Sequence, residues 1–213
     1  MIIFGYNFKH WKTQQGLINL VSNGYNPSLV ILQDKKKLNI PQSKFSIVPK
    51  DEYLIEPKKV CEILNLNYVI ANHDDYEASG IGIILGARIL KKKTINQYDK
   101  ILNIHPGILP GNRGLDNLKW ALALGLPIGV TAHWIDERID MGKIIKKETI
   151  KIYKHDTIKD LYIRQRNLEQ KVLIDVLNEG MQEGISFEDD NKFSALPECL
   201  DKIINNKYFI KCR

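Results

Sequence analysis

Short apolar runs alternate with amphipathic stretches along most of the chain. Residues 11–21, 118–124 and about 156–179 carry apolar residues at helical spacing, and Pro57 stands at a typical first helical position. The intervening runs are short and rich in Ile, Val and Leu, as buried strands are. Seven strands are predicted, at residues 2–4, 29–32, 68–71, 81–85, 101–104, 128–135 and 143–153, although residues 81–85 are also compatible with a helix. This alternation predicts an α/β sheet protein.

The chain contains no internal repeat and no low-complexity linker, which predicts one main domain. After the last predicted helix, the sequence mixes charged residues, Pro197 and short apolar pieces. We therefore expect the domain to span residues 1–184 and residues 185–213 to form a C-terminal tail packed on the core.

Composition and charge exclude several classes of protein. The 213 residues are 44% hydrophobic and 26% charged, close to the average of globular proteins, which argues against gross disorder and fibrous repeats. The net charge of +6 suits an anionic ligand such as a phosphate or a nucleotide. The lysine runs at residues 35–37 and 91–93 are short and lack interleaved aromatic residues, so no nucleic-acid surface is expected.

Neither the cysteines nor the apolar runs indicate a metal site or a membrane segment. Cys61, Cys199 and Cys212 are too few and too irregularly spaced for a disulfide framework or a zinc site, and no metal is expected. No apolar run approaches the roughly 18 residues of a membrane span. The N-terminus lacks the features of a signal peptide, so a cytoplasmic location without a membrane partner is predicted.

Candidate chemistry lies where predicted strands end, because ligands bind at the carboxyl edge of an open α/β sheet. Asn103 and His105 alternate at one strand end, and the strand containing His133 leads to Asp140. An amide, an imidazole and a carboxylate that converge there could polarise a carbonyl group and exchange a proton. Each residue also has a common structural role, in a turn or in a packed strand end, and residue types alone leave both roles open.

Two separated motifs resemble the signature of the folate-dependent formyltransferases. Asn103-Ile-His105-Pro-Gly-Ile-Leu-Pro110, followed by Arg113-Gly114, is similar to the first half of that signature. Gly129-Val-Thr131-Ala-His133, followed by Ile139-Asp140-Met-Gly142, is similar to the second half. With the predicted helix between them, the resemblance covers about residues 81–153, in the order and at the separation of the family.

The resemblance implies a fold and a reaction. The fold would be an open, mostly parallel twisted sheet with helices on both faces, the Rossmann-like formyltransferase fold, and residues 1–184 would be the catalytic domain. The reaction would transfer a formyl group from 10-formyltetrahydrofolate, a co-substrate, to an amine, without a metal. Asn103 would bind the formyl oxygen and stabilise the tetrahedral oxyanion. His105 would act on the amine or the oxyanion, and Asp140 would orient His105 and relay the proton.

The resemblance also implies a folate pocket. Residues 87–90 are similar to the family's segment that wraps the pterin ring, so Arg88, Ile89 and Leu90 are predicted to bind the co-substrate. His133 faces the same end of the sheet and is grouped with them, where it would support Asp140.

Departures from the family patterns bear on the amine substrate. Glycinamide ribonucleotide transformylases have a Gly-Ser-Asn phosphate loop after the first strand, whereas Gly5-Tyr-Asn-Phe-Lys-His-Trp-Lys12 offers no small-residue cradle. Residues after 184 are too few for the tRNA-binding barrel of methionyl-tRNA formyltransferase. We therefore predict a nucleotide-linked amino sugar as the small-molecule partner, and a homodimer is compatible with the apolar tail. The predicted substrate contacts are Asn7, Lys9, His10, Lys12 and Arg113. A glycinamide ribonucleotide transformylase with an altered loop and a formyltetrahydrofolate hydrolase remain alternatives.

Overall fold

The computed structural model describes residues 1–36, 53–188, 192–194, 196–197, 200 and 204. The described part contains seven strands and five helices, which alternate along much of the chain. The strands are β1 (Ile2–Tyr6), β2 (Leu29–Gln33), β3 (Tyr68–Ile70), β4 (Ile81–Ile84), β5 (Lys100–His105), β6 (Gly129–Trp134) and β7 (Ile144–Thr149). The helices are α1 (Trp11–Ser22), α2 (Pro57–Ile63), α3 (Lys92–Ile95), α4 (Asn117–Leu124) and α5 (Ile158–Asn178).

The strands form one sheet in the order β3-β2-β1-β4-β5-β6-β7. The pairs β1–β2, β2–β3, β1–β4 and β4–β5 are parallel. The predicted α/β fold with a mostly parallel sheet is confirmed. Strands after β1 first extend to one side of it, and β4 then pairs on its other side. The edge beyond the carboxyl ends of β1 and β4 is therefore the switch point at which open α/β sheets bind ligands.

One compact unit contains the described residues up to 36, 53–103 and 133–142. Its core surrounds β1, an apolar strand in the interior of the sheet that is buried on both faces. Helix α1 packs Leu17 and Leu20 into this unit, and both side chains are fully buried. A cluster of buried residues completes the core: Ile2, Phe4, Ile31, Leu90, Tyr98 and Ile101.

The second compact unit contains residues 104–132 and the described residues from 143 onward. Helix α5 begins with a capping box, in which Thr157 and Asp160 satisfy each other's backbone N–H groups. The core of this unit is a second cluster: Leu118, Ala121, Ile128, Ile158, Leu161, Leu196 and Ile204. Two residues of the predicted tail therefore lie in a core, while the predicted domain boundary at residue 184 stays a prediction.

Residues 81–84 form strand β4, which confirms the predicted strand and not its helical alternative. The structure differs from the predicted elements in two places. Strand β7 ends at Thr149 because a turn follows, in which Asp156 accepts a hydrogen bond from the N–H of Tyr153. The four-residue helix α3 was not predicted. Among the described residues, no helix is long and apolar enough to cross a membrane.

Candidate active site

The carboxyl edge of the first unit brings the ends of β1, β4 and β5 side by side. Phe4 pairs with Ile84, and Ile84 pairs with Asn103, so the three residues lie abreast across the sheet. Asn103 is half-buried and stands beside the end of β4. The register of the strands therefore places Asn103 at the carboxyl edge of the sheet, where it was predicted to lie.

Aromatic rings fill the turn between β1 and α1. Tyr6 stacks on Phe8 with their centroids 4.7 Å apart, and His10 meets Tyr6 edge-on at 4.9 Å. His10 is also the N-cap of α1, because its Nδ1 accepts the N–H of Thr13 at 3.3 Å. The ammonium group of Lys35 lies 5.9 Å from the centre of the Phe8 ring. The turn thus presents stacked rings and an imidazole at the start of α1.

The other predicted substrate contacts in this turn are differently placed. Asn7 donates from Nδ2 to Oδ1 of Asp34 at 2.7 Å. Lys9 is exposed, and Lys12 lies in the first turn of α1. These residues lie at the switch point, as predicted, and their contact with a substrate stays a prediction.

Thr13 joins this turn to the segment that follows β4. Its hydroxyl donates to the Leu85 carbonyl at 3.0 Å and accepts the N–H of Tyr6 at 3.3 Å. Gly86, which follows Leu85, allows Thr13 to approach this closely, because a Cβ on residue 86 would lie only 2.8 Å from the Thr13 hydroxyl and from the Tyr6 ring. Burial raises the pKa of the Tyr6 phenol, and the charge of Arg88 acts against that rise. Arg88 therefore lies within electrostatic reach of the aromatic turn.

The three predicted folate contacts have different environments. Ile89 is 71% exposed, although it is apolar. Leu90 is only 7% exposed and belongs to the core cluster of the first unit. The segment therefore offers an exposed apolar side chain next to the half-buried cation of Arg88 and is anchored in the core by Leu90.

His133 contacts Asn103. Its Nε2 lies 3.1 Å from Nδ2 of Asn103, and its Nδ1 lies 3.0 Å from the carbonyl oxygen of Trp134. The imidazole is fully buried. Sequence reasoning placed His133 at this end of the sheet, but it did not predict Asn103 as its partner.

Asp140 lies in the connection between β6 and β7, in a left-handed backbone conformation with φ of 54°. Gly142, two residues on, packs directly on the Trp134 carbonyl, where a Cβ would lie 1.7 Å from the oxygen. The glycine of the Asp-x-Gly motif is thus required for a close approach to the carbonyl that binds His133.

In the second unit, His105 is buried at the end of β5, two residues after Asn103 on the same strand. Its Nε2 lies 3.0 Å from the carbonyl oxygen of Asn112. A carbonyl oxygen only accepts hydrogen bonds, so Nε2 carries a hydrogen and Nδ1 is the ring nitrogen that can take up a proton. Thr131 holds the loop that follows, since its hydroxyl donates to the Gly107 carbonyl at 2.7 Å and accepts the N–H of Leu109 at 3.0 Å.

Arg113, the remaining predicted substrate contact, is only 8% exposed. Its carbonyl oxygen accepts the N–H of Phe193, and the Phe193 ring stacks on Trp120 with centroids 4.8 Å apart. The loop after His105 is therefore held by a described part of the tail.

Two buried polar residues were not predicted. Nε2 of His73 lies 3.0 Å from the Gly5 carbonyl oxygen and 3.1 Å from that of Ile31, and burial lowers the pKa of the imidazole. Gln165 of α5 donates from Nε2 to the carbonyl oxygens of Pro106 and Gly129, at 3.0 and 2.9 Å. A histidine after a strand and a glutamine within a helical pattern give no sequence signal of such roles. No group of three or more potential metal ligands occurs among the described residues.

Comparison with known proteins identifies the family. A family model described as formyl transferase matches residues 26–177. The chain is 38% identical to the phosphoribosylglycinamide formyltransferase of Bacillus subtilis (strain 168) over 147 residues, which are 68% of this chain and 71% of the relative. The chain therefore belongs to the formyl transferase family, whose members carry out folate-dependent formyl transfer, and the prediction of such an enzyme with formyltetrahydrofolate as its co-substrate is confirmed.

Two solved structures share the fold. An N-formyltransferase from Helicobacter canadensis, in complex with folinic acid and dTDP-3-aminofucose, has a TM-score of 0.68 at 24% identity, covering 91% of this chain and 70% of that one. Phosphoribosylglycinamide formyltransferase from Streptococcus pneumoniae TIGR4 has a TM-score of 0.62 at 18% identity, covering 85% and 98%. At these identities the likeness concerns the fold alone.

Proposed function

We propose that the protein transfers the formyl group of 10-formyltetrahydrofolate to the primary amine of a nucleotide-linked amino sugar. The observation that carries this proposal is the turn between β1 and α1. Tyr6 and Phe8 stack there, and His10 already caps the Thr13 N–H. A phosphate monoester bound at the N-terminus of α1 would accept hydrogen bonds from the N–H groups of the first turn, and His10 already occupies that of Thr13. A nucleotide has a flat base as well as phosphates, and the base can stack on aromatic rings.

Three residues carry the proposed chemistry. The Asn103 amide donates a hydrogen bond to the formyl oxygen, on which negative charge develops. His105 takes the proton of the attacking amine at Nδ1, since its Nε2 is engaged by the Asn112 carbonyl. The new bond joins the amine nitrogen to the formyl carbon, the bond from that carbon to N10 of the folate breaks, and the proton passes to N10 so that tetrahydrofolate leaves. The third residue, Asp140, supplies a carboxylate whose negative charge favours the imidazolium and which helps to relay the proton.

The segment after β4 fits the co-substrate. Folates combine a flat ring system with carboxylates, and the exposed Ile89 beside the cation of Arg88 supplies one partner for each. Binding there supplies the formyl group at the edge where Asn103 lies.

The shared fold is compatible with an amino-sugar acceptor, because the H. canadensis enzyme with this fold is in complex with dTDP-3-aminofucose and folinic acid. One observation favours a second candidate, glycinamide ribonucleotide: the 38% identity to the B. subtilis enzyme. The family match begins at residue 26, so the aromatic turn at residues 6–12 lies outside it.

Thermal unfolding with a panel of ligands tests the acceptor. The panel contains dTDP-, UDP- and GDP-linked amino sugars and glycinamide ribonucleotide, each with and without folinic acid. A ligand at 100 times its Kd stabilises the folded protein by about 2.7 kcal/mol, which gives a clear shift in Tm. Formyl transfer to each stabilising amine is then measured directly.

We expect a shift and turnover with a nucleotide-linked amino sugar. Phe8→Ala should remove that shift, whereas Ile152→Ala, at an exposed apolar residue of the second unit, should retain it. Turnover with glycinamide ribonucleotide and with none of the sugars would overturn the proposal in favour of the second candidate. Release of formate without any amine would instead indicate a hydrolase.

A further inference from the structure

Both ring nitrogens of His133 lie within hydrogen-bond distance of a partner, and the two partners determine which nitrogen carries the hydrogen. The Trp134 carbonyl, 3.0 Å from Nδ1, can only accept, so Nδ1 carries the hydrogen. In the neutral ring Nε2 is then an acceptor, and it faces the Asn103 amide at 3.1 Å. The amide NH₂ group is the only part of the Asn103 side chain that can donate to it.

We infer that His133 is a positioning residue that fixes the orientation of the Asn103 amide. One N–H of that amide is bound to His133, which leaves its second N–H and its oxygen for other partners. Because the imidazole is fully buried, it acts through Asn103 and not by touching a ligand. The inference rests on the proposed function, in which Asn103 donates to the formyl oxygen.

The orientation depends on the charge of His133. A second proton on Nε2 would turn this nitrogen into a donor, and the amide would have to present its oxygen instead. The neutral ring protonated at Nδ1 is therefore the form that leaves an Asn103 N–H available for the formyl oxygen.

Gly142 supports the same arrangement from the other side. It lies against the Trp134 carbonyl so closely that no Cβ fits between them. The carbonyl that sets the tautomer of His133 is thus packed by the Asp-x-Gly motif. The Gly-x-Thr-x-His and Asp-x-Gly motifs, which are close in sequence, meet at this carbonyl and act on Asn103 together.

Kinetics of three variants test the inference, with the acceptor identified by the ligand panel. His133→Leu removes both hydrogen bonds and should lower kcat about 10- to 100-fold, because small displacements of a catalytic group have effects of that size. The KM for 10-formyltetrahydrofolate should change little. His133→Gln keeps one acceptor and one donor and should recover most of the rate. Val130→Ala, a fully buried position on the same strand, controls for lost stability and should keep the wild-type kcat.

A double-mutant cycle separates this role from a merely structural one. If His133 acts through Asn103, then Asn103→Ala combined with His133→Leu should be no slower than Asn103→Ala alone. A further loss of about tenfold in the double variant would show an independent role of His133 and would overturn the inference.

Nitrogen-15 NMR of histidine-labelled protein provides a test without any acceptor. We expect His133 to be neutral, with hydrogen on Nδ1, and Asn103→Ala to shift the Nε2 signal. Hydrogen on Nε2 of the neutral ring would overturn the inference even if formyl transfer is normal. Turnover with no member of the panel would contradict the proposed acceptor and leave this result valid.

Discussion

Replacing Gly142 by alanine should impair catalysis in a protein that still folds. A Cβ at this position would lie 1.7 Å from the Trp134 carbonyl oxygen and 2.7 Å from its carbon. Contacts of a Cβ below 3.0 Å essentially never occur, so the loop or the carbonyl must move by about 1.3 Å. The obstacle is backbone on both sides, which leaves no flexible side chain to absorb the change.

A displacement of the Trp134 carbonyl would reach Asn103 through two consecutive hydrogen bonds. The Trp134 oxygen accepts from Nδ1 of His133 at 3.0 Å, and Nε2 of His133 lies 3.1 Å from Asn103. A shift of about 1 Å in a group that acts on the reacting atoms costs roughly 100-fold in rate, so we expect kcat to fall between about 10- and 100-fold. Overpacking of this kind lowers the free energy of unfolding by about 1–3 kcal/mol.

The assay compares initial rates of formyl transfer at saturating substrates with the thermal unfolding of each variant. Gly111→Ala is the matched control, because nothing lies within 4 Å of the added Cβ, and it should match the wild type in both measurements. A Gly142→Ala enzyme with the wild-type kcat would show that the Trp134 carbonyl does not govern the site. A fall in Tm without a fall in kcat would refute the coupling to Asn103 in the same way.

Three further predictions concern other parts of the molecule. Asn103→Ala should lower kcat about 100-fold or more, as loss of an oxyanion donor does, with little change in the affinity for folinic acid, and a rate above a tenth of the wild type would remove Asn103 from the mechanism. Burial lowers the pKa of His73 below its ordinary value, so the unfolded chain binds a proton that the folded protein excludes, and the free energy of unfolding should fall as the pH drops below about 6.5. His73→Gln should flatten that dependence in urea unfolding between about pH 7.5 and pH 5.5, and an equal slope in both proteins would contradict the assignment. Phe193→Ala removes the stacking on Trp120, worth about 1 kcal/mol, and should lower the Tm, whereas an unchanged Tm would mean that the tail does not stabilise the loop.

Much of the fold follows from the hydrophobic pattern, because its elements are long or strongly apolar. Strand β1 contains the apolar run at residues 2–4, and α1 covers the predicted residues 11–21 and ends at Ser22. Helix α3 has only four residues, which is too short for a periodic pattern. The end of β7 was predicted too late because Ile152 and Tyr153 suggest a strand, although both are more than half exposed.

Local sequence patterns could predict individual residues of the candidate site but not the contacts between them. Asn103, His105 and Asp140 were predicted because they lie at, or shortly after, the ends of predicted strands, and the family motifs assigned a role to each. The bond from His133 to Asn103 depends on β5 and β6 being neighbours in the sheet, and no local pattern encodes that order. The pairing of Phe193 with the loop at Gly114 joins residues far apart in sequence and was unpredictable for the same reason.

In the proposed function, formyl transfer and the choice of acceptor depend on different parts of this chain. The motifs around Asn103, His105 and Asp140 lie within the family match, and the chemistry proposed for them does not depend on which amine accepts the formyl group. The aromatic turn lies before that match, and it reaches the same edge of the sheet through Thr13 and Gly86. The 38% identity to the phosphoribosylglycinamide formyltransferase of B. subtilis supports the reaction, whereas the proposal of a different amine depends on the aromatic turn. In the proposed function, the stacked rings at the start of α1 bind an acceptor that carries a base.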